Sequence, residues 1–514
     1  MAEVLAEERK RVKREVSAAV KQPVFFDTTQ VESNLKMHSV QGVAILLSSQ
    51  LARFLLQMCS VVILARLLTP RDYGLVAMVT AVVGFLGMFK DMGLSMATVQ
   101  RTKINHTQVS TLFWINVMMG VIIALLTASL APIIAWFYDE PRLILVTLGF
   151  AGVFIFGGLM IQHYALLRRQ MRFGTLAFID LASLMIGIAV AVILAWYGTG
   201  YWSLVLMQLS IAITMMIGVW VACGWRPGMP VRQSSTRSSL AFGGYLTGFD
   251  FINYFARNLD KTLIGWQWGA DSLGLYSRAY TLMLLPINAV RDPIMSVAIP
   301  VLSRLKNEPE RYVTYYKHIV SLIAFVSMPF MLFIFTMSEE IIVLVLGPKW
   351  AGVSPILRIL SVAGFFQPVV TTNGIVYISL GQAKRLFRWG LMYSATLALS
   401  FVFGLAWGTL GVATGYVVVY CLIIYPSLSY CFKYSPVKMK DFGAVIWRPA
   451  LCSIVAGGIV YFCRQLLSKQ FGDVSVVIFL VAGFVIYLLM WLMIPGGLRT
   501  LREYYGIAMS IFGR

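Results

Sequence analysis

The chain has 514 residues, 59% of them hydrophobic and 12% charged, whereas soluble domains carry about a quarter charged residues. So much apolar surface cannot be buried in a soluble fold of this size. The formal net charge of +20 would point to nucleic acid if it were clustered on a soluble surface, but the Lys and Arg fall between long apolar runs, so no nucleic-acid partner is expected.

In chain order, residues 1–38 form a basic tail that begins with Glu7-Glu8-Arg9-Lys10-Arg11 and has no apolar core of signal-peptide type. No cleaved signal is expected, and the first span serves as its own insertion signal. Crossing about 30 Å of hydrocarbon takes roughly 20 helical residues with every backbone group paired internally. That rule predicts about fourteen spans, at 39–67, 73–95, 108–137, 143–167, 174–197, 201–224, 240–267, 274–302, 319–338, 353–380, 385–407, 410–432, 442–463 and 473–495. The fold class is therefore an all-α integral membrane protein.

Basic residues are retained on the cytoplasmic side of a membrane. The N-terminal tail, the even-numbered connections and the C-terminal tail are rich in them, among them Lys90, Arg101, Lys103, Arg168, Arg169, Arg172, Arg226, Arg232 and Arg237. The odd-numbered connections hold only Arg66, Arg71, Arg142, Lys349, Arg464 and Lys469. Both termini are thus expected in the cytoplasm. The remaining basic residues lie inside the spans: Arg53, Arg257, Lys261, Arg278, Arg291, Arg358 and Arg448. A charge at the bilayer centre costs at least about 2.5–3.5 kcal/mol, so such residues face a watery cavity or a partner. Arg53, Arg257 and Arg291 sit deepest, while Arg448 is close enough to the cytoplasmic face to snorkel.

Two pairs of junctions repeat. LTPRDYGL, ending at Gly74-Leu75, matches WGADSLGL, ending at Gly274-Leu275; LAWYGTGY from Leu194 matches LAWGTLGV from Leu405. Each match falls at an equivalent topological place, which predicts two similarly oriented six-helix bundles around a central cleft. The expected organisation is a tail at 1–38, a bundle at 39–224, a cytoplasmic linker at 225–239, a second bundle at 240–432, two further spans within 433–495 and a tail at 496–514.

At about 100° per residue, Asp250, Asn253, Arg257, Asp260 and Lys261 share one face of span 7. The 200-residue offset lays Gln50, Arg53 and Gln57 of span 1 on Asp250, Asn253 and Arg257. One reading is mutual neutralisation that glues helices together. The other is a cleft that binds an anion, because the intramembrane cations outnumber acids such as Asp180 and Asp292, and unpaired buried charge calls for a ligand. On that reading Arg53, Arg257, Arg291, Lys261, Arg278 and Arg358 bind the cargo, Gln50, Gln57 and Asn253 line the cavity, and Asp180, Asp250 and Asp260 are candidate acids for ion coupling. Arg suits phosphate because its planar guanidinium bonds two oxygens at once. Gln208, Gln367, Thr371, Thr372, Asn373 and the pair Gln162-His163 could contact sugars, although helix packing explains them equally well. Pro286, Pro293 and Pro300 put bends on one face of span 8.

Several stretches carry a family resemblance: LARLLTPRDYGLVAM from Leu64, FKDMGLSMATVQRTKINHTQVSTLFWIN from Phe89, LLRRQMRF from Leu166, LIGWQWGADSLGLYSRAYTLMLLP from Leu263, and LGPKW from Leu346. Over roughly residues 39–430 the chain resembles the polysaccharide transporter family, the Wzx-type and WzxC-like flippases of the multidrug/oligosaccharidyl-lipid/polysaccharide superfamily. The resemblance implies alternating access in the bacterial inner membrane, carrying undecaprenyl-diphosphate-linked oligosaccharide for exopolysaccharide, capsule or O-antigen export, beside a polymerase and export machinery. It supplies no family-wide set of site residues, so the site assignments rest on the helix-face argument. A multidrug exporter of the same superfamily is the first alternative, and the cationic excess argues against it. A membrane polysaccharide polymerase or ligase is the second; the absence of a substantial loop to carry catalytic groups argues against that and against enzymatic activity generally. No GxxxxGK[ST] pattern is present, so built-in ATP hydrolysis is not expected. The six cysteines, Cys59, Cys223, Cys421, Cys431, Cys452 and Cys463, form no CxxC pair and read as small apolar residues, so neither metal nor cofactor is expected.

Overall fold

The structure, a computed structural model, describes residues 35–91, 93–100, 104–230, 236–471, 475–498 and 500–502; within these it leaves aside the side chains of 35–47, 97, 100, 236–253, 255–257, 467–471 and 475–477. The described residues fold into helices: α1 (Leu35–Leu67), α2 (Pro70–Val83), α3 (Leu94–Gln100), α4 (His106–Tyr138), α5 (Leu143–Arg169), α6 (Phe173–Trp196), α7 (Trp202–Cys223) and α8 (Thr236–Arg304). There follow α9 (Pro309–Thr336), α10 (Ser338–Val345), α11 (Val353–Val370), α12 (Asn373–Ser379), α13 (Ala383–Gly404), α14 (Gly408–Phe432), α15 (Met439–Phe471) and α16 (Ser475–Met493).

Among the described residues, ten helices are long and apolar enough to cross a bilayer, or eleven if the bent pair Pro70–Val83 and Leu86–Met96 is one span. Two of the ten, Asn258–Asn307 and Ala383–Phe432, run for 50 residues each. At 1.5 Å per residue a straight helix of that length would reach about 75 Å, more than twice the hydrocarbon thickness. Neither is straight. Gly269 interrupts the first at φ 75° and Gly408 the second at φ 71°, backbone values that a residue without Cβ adopts at no steric cost. Each long run therefore has the length of two crossings.

The expected span 73–95 is not one regular helix. α2 stops at Val83, a 3₁₀ turn covers Leu86–Lys90, and the axis bends by 50° before α3. Gly84, Gly87 and Gly93 in this stretch weaken helix propagation, and Gly93 takes a φ of 71°. The expected span 353–380 is met by one apolar run, Val353–Ser379, in which α11 passes to α12 through a turn at Thr371-Thr372, just after Pro368 removes a backbone donor.

The chain divides into two compact units. The first comprises Met1–Leu56, Val83–Trp136 and Glu140–Phe251. In it α6 packs on α7, and α5 packs on α3 and α7, around Val109, Phe113, Leu166, Leu167, Ile179, Val219 and Trp225. The second comprises Gln57–Val82, Phe137–Asp139 and Ile252–Arg514. Here α9 packs on α11 and α15, α14 on α11 and α13, and α16 on α15. Phe333, Cys452, Val460, Tyr487 and Trp491 fill one of its cores. In both units large apolar side chains point outward, including Phe178, Trp196, Phe403 and Leu466. That surface is stable only against lipid: the protein is a multi-pass membrane protein.

Candidate functional site

Span 7 is the part of α8 before the Gly269 break. The side chains of Asp250, Asn253 and Arg257 lie outside the described residues, so the polar face is described from Asn258 onward. Asp260 is buried, 2% exposed. Its carboxylate accepts the Tyr276 hydroxyl at 2.8 Å and the Lys261 backbone N–H at 2.8 Å. The Lys261 ammonium does not fold back on this carboxylate. It donates to Asn258 Oδ1 at 3.2 Å and stands 5.5 Å from the centre of the Tyr280 ring, a cation–π distance.

From Tyr280 a series of rings continues along unit 2. Tyr276 stacks on Tyr280 at 6.3 Å, Tyr280 meets Tyr416 edge-on at 6.2 Å, and Tyr416 lies 5.9 Å from Tyr420. Arg291 is within electrostatic reach of Tyr420, and its guanidinium pairs with Asp292 at 2.8 Å. Lys261 and Arg291 thus stand at the two ends of one tyrosine-lined wall. Tyr276, Tyr416 and Tyr420 are buried and Tyr280 is half-buried, so the rings brace the wall, and its cations are the groups that can hold phosphate oxygens. The tyrosines were not among the residues singled out from sequence. A signal existed: Tyr276/Tyr280 and Tyr416/Tyr420 are i,i+4 pairs within apolar helices, and such pairs share a face.

Three further cations of unit 2, Arg278, Arg358 and Arg448, have partners of their own. Arg278 lies 3.5 Å over the Tyr73 ring, Arg358 Nε donates to Ser338 Oγ at 3.0 Å, and Arg448 donates to Thr500 Oγ1 at 3.2 Å. Gln57 is half-buried. Of the polar groups considered for sugar contact, Thr372 is fully buried and shares a hydrogen bond with the Tyr316 hydroxyl at 2.9 Å, and Asn373 donates to Ser427 Oγ at 2.9 Å.

In unit 1, Arg53 and Gln50 are exposed. Arg53 acts electrostatically on the half-buried Asp180 and on Tyr164, so α1, α5 and α6 contribute one polar group each to a single cluster. Gln162 and His163 belong to packing instead. Gln162 accepts the Thr98 hydroxyl at 2.8 Å and donates to Asn116 Oδ1 at 2.8 Å. The His163 ring stacks on Trp220 at 4.3 Å with its Nε2 3.2 Å from the Trp225 carbonyl oxygen. Among the described residues no group of His, Cys, Asp and Glu is arranged to hold a metal ion.

Comparison with known proteins follows the same lines. The chain is 27% identical over 416 residues to the teichuronic acid biosynthesis protein TuaB of Bacillus subtilis (strain 168), covering 79% of this chain and 85% of that one. It is 25% identical over 418 residues to the lipopolysaccharide biosynthesis protein WzxC of Escherichia coli (strain K12), covering 79% and 84%. The succinoglycan biosynthesis transport protein ExoT of Rhizobium meliloti (strain 1021) is 26% identical over 366 residues, covering 70% and 73%. Among solved structures, the lipid II flippase MurJ in an inward closed conformation superposes with a TM-score of 0.71 at 15% identity, covering 87% of this chain and 98% of that one. An inward-facing multidrug resistance MATE family transporter of the MOP superfamily gives 0.57 at 11% identity, covering 76% and 98%. These two likenesses establish the fold. The model of the polysaccharide biosynthesis protein family matches residues 63–355, more than half of the chain, and the chain belongs to that family.

Proposed function

We propose that this protein is a flippase that moves undecaprenyl-diphosphate-linked oligosaccharide from the cytoplasmic to the periplasmic leaflet of the bacterial inner membrane by alternating access. The observation that carries this reading is the wall from Lys261 to Arg291 within apolar helices, in a chain of the polysaccharide biosynthesis family. A diphosphate needs cations, which this wall offers at Lys261 and Arg291, while the isoprenoid tail stays in lipid. The names of TuaB, WzxC and ExoT support polysaccharide export as the setting. That of MurJ supports a lipid-linked cargo.

In this reading fourteen crossings form two six-helix bundles and a C-terminal pair, with both termini in the cytoplasm. Arg53, Arg257, Lys261 and Arg291 hold the cargo, with Arg278 and Arg358 toward the periplasmic end. Gln50, Gln57 and Asn253 line the cavity. Asp180, Asp250 and Asp260 are the acids through which an ion gradient acts. A polymerase and an export complex take the product onward. No step makes or breaks a covalent bond.

The test is translocation of a fluorescent lipid-linked oligosaccharide in vesicles containing the purified protein, with proton and sodium gradients imposed separately and a cationic dye as the competing cargo. Movement of the glycolipid, lost in Arg53→Ala, Arg257→Ala and Arg291→Ala at matched reconstitution, is expected. Export of the dye with no movement of any glycolipid would sink the proposal.

A further inference from the structure

In the folded chain the Arg448 guanidinium holds an elbow that follows the last span. α16 ends at Met493, and residues 494–497 turn the backbone: Gly496 takes a φ of 77°, and the Gly497 N–H donates to the Ile494 carbonyl at 2.9 Å. A Cβ added to Gly497 would fall 1.9 Å from the Trp491 carbonyl oxygen, so the turn lies directly against the end of α16. Residues 497–498 and 500–502 are helical again, with the Thr500 N–H donating to the Gly496 carbonyl at 3.2 Å. Arg448, on α15, donates to Thr500 Oγ1 at 3.2 Å, and a Cβ on Gly496 would fall 3.1 Å from its Nη2. Leu501 packs against the core that holds Tyr487, Trp491 and Ile494. The chain therefore leaves the elbow in a direction set by three contacts.

Leu498 and Arg502 point outward there, and Leu492 and Met493 are exposed on the last turn of α16. The sequence beyond Arg502 keeps a helical period. At about 100° per residue Leu501, Tyr504, Tyr505, Ala508, Met509 and Phe512 fall in one arc of about 140°, while Arg499, Arg502, Glu503 and Arg514 share the opposite arc. Thr500 stands outside both arcs, and it is the residue that Arg448 takes. Residues 497–514 are too few and too charged to make a further crossing. In water the apolar arc would be uncovered, and a helix this short is marginal by itself. In the plane of a bilayer interface the apolar arc is buried and the arginines meet headgroups. Three arginines against one glutamate select an anionic surface.

We propose that residues 497–514 form an interfacial helix that lies on the cytoplasmic leaflet and is held there by anionic phospholipid headgroups. Its leaflet follows from the topology proposed above. The C-terminal tail is then a second membrane contact, started at a fixed point by Arg448.

The experiment uses the full chain with its six native cysteines replaced, carrying a nitrobenzoxadiazole label at Ala508→Cys or at Ser510→Cys, one on each arc. The vesicles are phosphatidylcholine alone or phosphatidylcholine mixed with phosphatidylglycerol. In the anionic vesicles brominated acyl chains are expected to quench the label at position 508, while aqueous iodide quenches the one at 510. Replacing Arg499, Arg502 and Arg514 by Gln is expected to lower the ratio of seated to free helix by roughly fivefold per arginine, and added salt acts in the same direction on the parent chain. Iodide reaching both positions alike in anionic vesicles overturns the interfacial helix. Equal seating in neutral and anionic vesicles overturns the role of the headgroups. Protection at position 508 without quenching from lipid places that face on protein and overturns the proposal as well. Reaction of the Ser510→Cys thiol with an impermeant reagent added to spheroplasts counts against the proposed topology instead, and lipid quenching then judges the helix alone.

Discussion

Two buried polar clusters, one in each unit, are built in different ways. In unit 1, Thr98, Gln162 and Asn116 are fully buried and close a chain of uncharged hydrogen bonds among themselves, and His163 sits in a box of Phe113, Trp220 and Trp225. In unit 2 the polarity carries charge: Asp260 is buried against Tyr276, while the neighbouring Lys261 turns to Asn258 and Tyr280. A closed uncharged network rigidifies a helix contact. A cation left on a weak amide and an aromatic face keeps most of its attraction for an incoming anion. On the function proposed above, the first arrangement belongs to architecture and the second to cargo.

Several substitutions would break or sharpen that contrast. The largest effect is expected for Lys261→Ala combined with Arg291→Ala. Each charge-assisted bond to an anion contributes about 1.5–3 kcal/mol, and each 1.4 kcal/mol is a factor of ten in rate, so losing two should slow translocation by at least about 100-fold. Thermal unfolding in detergent should be little changed. Equal losses of stability and transport would mean that the wall is architecture too. Next in size is Asp260→Leu, which strips the buried Tyr276 hydroxyl of its acceptor at a cost of about 1–3 kcal/mol; Asp260→Asn, which keeps an acceptor oxygen, should recover most of that stability. If Asp260 also couples an ion gradient, the Asn variant should remain stable while losing its response to the imposed gradient.

In unit 1, Gln162→Leu leaves Thr98 and Asn116 each short of a partner and should cost about 1–2 kcal/mol of stability, measured as a lower melting temperature. Translocation per folded molecule should stay unchanged, and a selective transport defect would contradict the packing role. The smallest effect is expected for Tyr420→Phe. The Tyr420 hydroxyl is buried with no hydrogen-bond partner, so its removal should alter stability by less than about 0.5 kcal/mol while retaining the aromatic face. A large loss of glycolipid binding in this variant would mean that the hydroxyl itself contacts cargo.

Much of the architecture was legible in the chain because the bilayer imposes a one-dimensional rule. A run of about 20 apolar residues must be helical wherever it sits, and the repeat at Gly74 and Gly274 was visible as matching letters. Helical periodicity alone put Asp260 and Lys261 on one polar face, whereas packing buries Asp260 against Tyr276 and turns Lys261 to Asn258 and Tyr280. Helix interruptions were less legible. The bend after Val83 and the turn at Thr371-Thr372 lie within runs that hydropathy reads as continuous, because backbone geometry at glycine and after proline does not alter the apolar count.

What a residue is, and which neighbours share its helix face, the sequence by itself determined: the membrane class, the approximate spans, the cations within them and the repeated junctions. Which partner each cation takes was decided by tertiary structure. Arg291 takes an adjacent carboxylate, Arg278 a ring some 200 residues earlier in the chain, and Arg358 a serine on α10. Only packing brought Tyr416 to Tyr280 and set Gly74 against Ala270 as Gly274 is set against Pro70. The physical reason is range: periodicity acts within one helix, whereas a contact between helices depends on how close their backbones approach, and that distance is fixed by every side chain along both surfaces at once.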